Sequence, residues 1–296
     1  MNWQDHLITI YLYVCKHTQD GLWVYSQRMT NHADLSFTDE EVITLYLFGI
    51  IDKKRELKTL YEYADRHLRP WFPRLPGYVA FVQRINRVAD VFPPLLERIQ
   101  QESGERLQDC VWLTDSFPVA LAKQGHRFGA CVAKELADVG YCSTKKLYFY
   151  GVRVHMVARR QTGTLPCPDY IGVSGASSHD GKVFDQIRPL LTNNELYADK
   201  AYQRPDAKAV ETAQGLTVLT PVKKEKGQAY LEPSDQWLST AVSRVRQPIE
   251  SLFAWLEEKT GIECASKLRS YNGLMVHVFG RLAAALFLWN FLHVSS

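Results

Sequence analysis

Asp115, Asp199 and Glu250 are the residues whose types and surroundings could support chemistry. Asp115 follows the apolar run Val111-Trp112-Leu113, and Asp199 follows Leu196-Tyr197-Ala198, so each closes a strand-like segment bound for the interior. Glu250 lies in RQPIESLFAWLEEKTG, beside an apolar stripe of Ile249, Leu252, Phe253 and Leu256 at helical spacing. If the strands that end at the two aspartates are neighbours in one sheet, those carboxylates converge, and a helix packed across them brings the glutamate. Converging carboxylates repel unless a cation lies between them. Oxygen donors without a His or Cys cluster suit Mg2+ or Mn2+. Two such ions, about 3.5–4 Å apart, activate an attacking oxygen and stabilise a leaving one in phosphodiester displacement. A plainer reading stands beside this one. Asp199 can be the N-cap of the helix that follows, and Glu250, two residues after Pro248, can favour a helix N-terminus.

The elements that must position these acids are read from periodicity. Residues 1–105 are expected to be helical and to bind DNA, with a second domain over residues 106–296. Thr38-Asp39-Glu40-Glu41 is a capping box ahead of an apolar run through Gly49. The charged segment from Asp52 to Leu68 keeps helical spacing at Leu57, Leu60, Tyr61 and Ala64, and Pro70, Pro73 and Pro76 then break the chain. In GYVAFVQRINRV, Tyr78, Phe81, Val82, Ile85 and Val88 share one face. Gln83, Arg84 and Arg87 share the other, a face that could enter a DNA groove or simply be wet. Gln101 to Glu105 reads as the linker. Beyond it, strands are expected at Val111–Leu113 ending on Asp115, in KLYFYGVRVHMVARR, in DYIGVSGAS, in ELYADKAYQ and in LTVLTPV. Helices are expected from Val183 to Leu191, from Asp206 to Gln214, and from Thr240 to the end with interruptions near Gly261 and Gly273. Three strands in a meander, then alternating helices and strands, give a mixed five-stranded sheet with helices on its faces, after an all-helical N-terminal domain.

Four stretches carry a resemblance to bacterial insertion-sequence transposases of the DDE class. They are TDSFPV around Asp115, GASSHDGKVFD at residues 175–185, LYADKAYQ around Asp199, and Arg246-x-x-x-Glu250. They occur in order, on the expected elements, within a span from about Gln108 to the C-terminus. In LYADKAYQ, Ala201 stands where the family usually has glycine. The resemblance implies a ribonuclease H-like fold, with Asp115, Asp199 and Glu250 as catalytic metal ligands for Mg2+ or Mn2+. It also implies a phosphate-holding role for Arg246, against the alternative of a surface ion pair. Lys200, Tyr202, Lys223 and Lys224 become candidate DNA contacts; packing, or a merely wet loop, is the competing explanation. His179 and Asp180 are read as a helix cap. Some relatives have a tyrosine three residues before the arginine and a lysine seven after the glutamate; Ser243 and Glu257 occupy those places here. The triad is therefore implied, but hairpin processing is not.

Composition agrees with that direction. At 296 residues and 46% hydrophobic, the chain can bury a sizeable core. Its scattered cysteines, with no C-x-x-C pair, fit neither a disulfide framework nor a zinc site. Residues 121–160 hold eight Lys or Arg against Glu135 and Asp138, and residues 52–90 hold nine against five acids, within a chain of net charge +3. Such basic segments point to a polyanion or to ordinary solvated surface. Met1 to Asp5 has no basic secretory start, so a cytoplasmic, nucleoid-associated protein is expected. The apolar stretch Leu274–Val294 contains His277, Arg281 and Asn290, which fits a buried helix better than a membrane span of about 20 apolar residues. The expectation is an enzyme that binds double-stranded element ends, cuts a phosphodiester and joins the 3′-hydroxyl to target DNA, working as a homo-oligomer. A nuclease without joining, a catalytically silent DNA-binding descendant, and an unrelated protein with capping aspartates are the alternatives.

Overall fold

The computed structural model describes residues 2–27, 35–104, 111–192, 194–203 and 207–292, with backbone alone at Ser103 and Gly104. Glu105 of the expected linker, Cys110 and Asp206 lie outside the described residues. Contacts divide the chain into two compact units, residues 1–103 with 256–296 and residues 104–255. The chain therefore crosses between units twice, whereas the sequence reading drew one boundary, after residue 105.

The first unit is helical. Its helices are α1 Trp3–Gln19, α2 Asp39–Ile51, α3 Leu57–His67, α4 Tyr78–Arg87, α5 Phe92–Gly104 and, after the second crossing, α9 Tyr271–Leu292. Thr38 caps α2 as the sequence predicts. The Thr38 N–H donates to Glu41 Oε2 at 2.6 Å, and the Glu41 N–H donates to Thr38 Oγ1 at 3.3 Å. Every residue of α2 from Val42 to Ile50 is buried, which its nearly continuous apolar sequence requires. Helix α9 is long and apolar enough to cross a membrane, but most of its apolar window is buried within the protein. Arg281 hydrogen-bonds the carbonyls of Thr260 and Arg55, and Tyr46 donates to the Val276 carbonyl at 3.1 Å. Gly273 does not interrupt α9; its N–H is capped by Ser270 Oγ at 3.0 Å. Gly261, at φ +66°, is the break.

The second unit is built on a six-stranded sheet: β1 Val111–Lys123, β2 Asp138–Cys142, β3 Leu147–Arg159, β4 Cys167–Gly175, β5 Glu195–Tyr197 and β6 Thr217–Leu219. β1, β3 and β4 form the expected antiparallel meander. β5 then lies parallel to β1, and β6 parallel to β5. β2 is a strand the sequence reading lacked. It takes residues 147–151 of β3, while β4 takes residues 152–159 along the same edge. Helices α6 Asp180–Ile187 and α7 Lys208–Ala213 connect the later strands, and α8 Pro233–Thr260 carries the chain out of the unit. α8 begins before the expected Thr240, with a proline in its first turn, where a missing N–H costs nothing. Trp112, Val157, Phe184, Leu196 and Tyr202 pack together on one face of the sheet. Strand alternation turns Leu113, Asp115 and Phe117 to the other face, where the Phe117 ring meets Phe253 of α8 at 4.8 Å between centroids. The arrangement is a ribonuclease H-like α/β fold preceded by a helical region.

Candidate active site

The register of β1 against β5 decides where the two aspartates go. Their last paired residues are Leu113 and Tyr197, and two steps further along each strand lie Asp115 and Asp199. The two parallel strands thus carry both carboxylates to the place where their pairing ends, beside the carboxyl end of β5, the usual position for a site in such a sheet. Asp115 does not end its strand. β1 runs on to Lys123, and Asp115 stays paired with Met156 of β3. Only the β5 side of β1 opens at this point, so Asp115 is held by a continuous ladder while one flank is free. Asp199 is exposed and does cap the short 3-10 turn Lys200–Tyr202, its Oδ1 accepting the Lys200 N–H at 2.7 Å. Capping fixes its carboxylate by one oxygen and leaves it at the strand end.

α8 supplies the other two residues. Ile249 and Leu252 are fully buried and Phe253 rests on Phe117, so the helix is fixed over this face. Pro248 lies well inside α8, hence Glu250 is not at a helix N-terminus. Arg246 Nη1 donates to Asp115 Oδ2 at 2.5 Å, and its Nη2 donates to Glu250 Oε1 at 2.5 Å. One guanidinium therefore separates the two carboxylates. Its side chain is 15% exposed and that of Asp115 23%, so the pair with Asp115 is shielded, whereas Glu250 is 54% exposed. Burial opposes the charge on Arg246, but Asp115, Glu250 and Asp199 outweigh it and raise its pKa. Burial also pushes Asp115 up to about 6; Arg246 and the Ser116 N–H pull it down, while Asp199 and Asp180 add repulsion. Ionised Asp115 thus lies in a place that rewards additional positive charge.

Behind Asp115, on the opposite face of β1, is a polar cluster that sequence reasoning missed. The Ser116 N–H donates to Asp115 Oδ1 at 2.8 Å, and Ser116 Oγ donates to Asp180 Oδ1 at 2.9 Å. Arg153 Nη1 reaches Ser116 Oγ at 3.3 Å, and His155 Nδ1 lies 3.5 Å from Asp180 Oδ1. Burial drives the His155 pKa down to about 4, against the pull of Asp180. His179 is the cap that was expected, accepting the Gly181 N–H at 3.2 Å, but Asp180 turns to this cluster instead. The signal lay in β3, where Arg153 and His155 interrupt an otherwise apolar strand.

The remaining candidates divide. Tyr202 is 1% exposed and packs edge-on against Phe184 at 5.6 Å, so it is a core residue, which corrects the expectation of a DNA contact. Its ring is too apolar to stay at a surface when α6 offers a covering face. Lys200 is half-buried beside Asp199. Lys223 is exposed in the loop after β6, and Lys224 Nζ donates to the Ala229 carbonyl at 2.7 Å. In the helical unit Arg84 folds back onto Asp39 at 3.0 Å with its side chain 16% exposed, while Arg87 is exposed. The exposed side of α4 is thus narrower than expected.

The donor set around Asp115 is carboxylate oxygen, the chemistry of a hard divalent ion. Among the described residues no group of three or more His, Cys, Asp or Glu stands close enough to hold a metal ion, and the Arg246 guanidinium bonds both Asp115 and Glu250. No curated protein and no solved structure matches the chain. The family model described as Transposase DDE domain matches residues 106–288, more than half of it.

Proposed function

This chain belongs to the transposase DDE-domain family, and we propose that it is a DNA transposase whose catalytic residues are Asp115, Asp199 and Glu250. The observation that carries the reading is that Asp115 and Asp199 each lie two residues past the last paired residues of adjacent parallel strands, with Arg246 joining Asp115 to Glu250 on α8. The three acids would hold Mg2+ or Mn2+, which supply Lewis acidity for a hydroxyl or water attacking phosphorus. In the first step water adds to the phosphorus of the strand at the element end, the P–O3′ bond breaks, and a 3′-hydroxyl and a 5′-phosphate are released. In the second, that 3′-hydroxyl attacks a target phosphodiester and displaces its 3′-oxygen. No covalent protein–DNA link is needed.

The chain's own residues set the geometry. The β1 ladder holds Asp115, and Asp199 is fixed by its cap bond at the end of β5. Arg246 offsets part of the charge on Asp115 and Glu250 before DNA arrives, and its guanidinium can then exchange one carboxylate for a phosphate, which it grips by the same fork. Lys200, Lys223 and Lys224 contribute salt-dependent contacts to the DNA backbone. Base readout falls to the helical unit, with Arg87 on the exposed side of α4. Both element ends must be processed together, so the working form is a homo-oligomer on double-stranded DNA, in the compartment that holds the chromosome.

The test is cleavage of a duplex carrying the flanking element end, by purified protein with Mg2+. Asp199→Asn is expected to keep DNA binding and to cut at less than about a hundredth of the wild-type rate. Full cutting by this variant would refute the site. Appearance of strand-transfer products in the wild-type reaction tests the joining step separately.

A further inference from the structure

The hairpin of β2 and β3, with the 3-10 turn before it, carries aromatic rings that the core does not use. Tyr141 and Tyr148 are directly paired across the two strands, with ring centroids 4.7 Å apart, and both are exposed. Phe128 is 76% exposed. The Arg127 guanidinium lies 4.0 Å from the Phe128 centroid and 5.3 Å from that of Tyr148. On the other face of the hairpin Cys142 and Phe149 are buried with Ala120 and Ala176, so the folding requirement is met without the outer rings. The same segment bears exposed lysines at Lys123, Lys134, Lys145 and Lys146. Of its acids, Asp138 is turned inward to accept the Ser177 N–H at 2.8 Å, leaving Glu135 exposed.

Exposed apolar patches rimmed by polar residues mark interaction sites. A ring face together with a guanidinium plane is the surface on which unpaired bases stack, and the surrounding lysines match the strand's phosphates. Paired bases inside a duplex cannot present their faces this way. The surface is also rigidly tied to the candidate active site within the same unit. Arg153 donates to the Tyr141 carbonyl at 2.6 Å, to the Ala176 carbonyl at 3.1 Å and to Ser116 Oγ at 3.3 Å, and Ser116 neighbours Asp115. Gly140 lies so close to the turn after β4 that an added Cβ would meet the Ala176 carbonyl oxygen at 2.1 Å.

We propose that the β2–β3 hairpin is a stacking platform for unpaired DNA nucleotides, built on the Tyr141, Tyr148, Phe128 and Arg127 cluster. It rests on the reading of this protein as a DNA-acting enzyme and adds the strand state that it grips.

Fluorescence anisotropy of the full-length protein with three oligonucleotides tests it: a blunt duplex, the same duplex with a single-stranded overhang, and the overhang strand alone. Wild type is expected to prefer the overhang to the blunt duplex. The double variant Tyr141→Ala with Tyr148→Ala is expected to lose at least about fivefold in affinity for the overhang while keeping its affinity for the blunt duplex. Tyr148→Phe keeps the ring and is expected to keep the preference, with unchanged thermal unfolding confirming an intact fold. Blunt-duplex binding with no overhang preference in wild type overturns this inference alone. So does an equal loss on all three DNAs, or a changed oligomeric state with the preference intact. Failure of wild type to bind any of the DNAs overturns the transposase reading and this inference with it.

Discussion

Arg246 takes one carboxylate on each of its terminal nitrogens, and this bridge explains how Asp115 and Glu250 tolerate one another before any cation arrives. A fork of fixed donors does this better than an ammonium, since both bonds are made by one planar group. Sequence offered a phosphate ligand or a surface ion pair for Arg246. The geometry gives a half-buried clamp whose two partners are the acids themselves, which depends on a helical turn that no spacing argument could orient toward β1. Tyr202 went the other way. Its hydroxyl is buried beside Thr114 but makes no hydrogen bond of good geometry, and burial lifts its pKa well above the ordinary tyrosine value, aided by Asp180 and Asp115 and opposed by Thr114. An unmet buried hydroxyl costs stability. Tyr202→Phe is therefore expected to leave the denaturation midpoint unchanged or to raise stability by up to about 1 kcal/mol. A clear loss in urea unfolding would mean that the hydroxyl is bonded.

At the scale of elements, a three-residue strand carries much of the site. β5 holds Asp199 only because Leu196, fully buried opposite Trp112, anchors it between β1 and β6. Leu196→Ala is expected to cost about 2–5 kcal/mol and to reduce cleavage more than DNA binding, measured by denaturant unfolding and by the element-end assay. Retained cleavage at full rate would show that β5 does not position Asp199. The strands were legible where the alternation was long or the apolar run was clear, as in β3 and β5. β2 was not, because DVGYC is short and holds a glycine, which counts against a strand by propensity. Its pairing comes from β3, whose edge continues past the end of β4. The start of α8 was missed for a related reason. Proline is a good first helical residue, so α8 starts at Pro233, and the inner Pro248 did not stop a helix already fixed by packing at Ile249 and Leu252.

For the molecule as a whole, the second crossing after Trp255 returns the chain to the helical unit, where α9 is buried. His277 shows what that burial does. Its Nε2–H donates to the Ile262 carbonyl at 2.8 Å, and burial, with the nearby Arg281 charge, pushes its pKa down to about 3 despite that bond. The unfolded chain binds a proton near pH 6.5 and the folded chain only near 3, so stability is whole above 6.5 and falls as pH drops through that window. Between pH 7 and pH 5 this one group is expected to remove about 2 kcal/mol. His277→Gln should flatten the pH dependence of urea unfolding by that amount; an identical slope in the variant would show that the histidine titrates in the folded state.

The sequence by itself determined the mixed sheet, the helical N-terminal region, the cap of α2 and the family, because periodicity, capping chemistry and ordered motifs are local and survive in one dimension. Tertiary structure decided the rest. The register that sets Asp115 beside Asp199, the turn of α8 that puts Arg246 between Asp115 and Glu250, the gathering of Ser116, Arg153, His155 and Asp180 and the burial of Tyr202 all depend on which faces meet. Contacts between residues far apart in the chain are fixed by packing of the whole unit, and no local pattern encodes them.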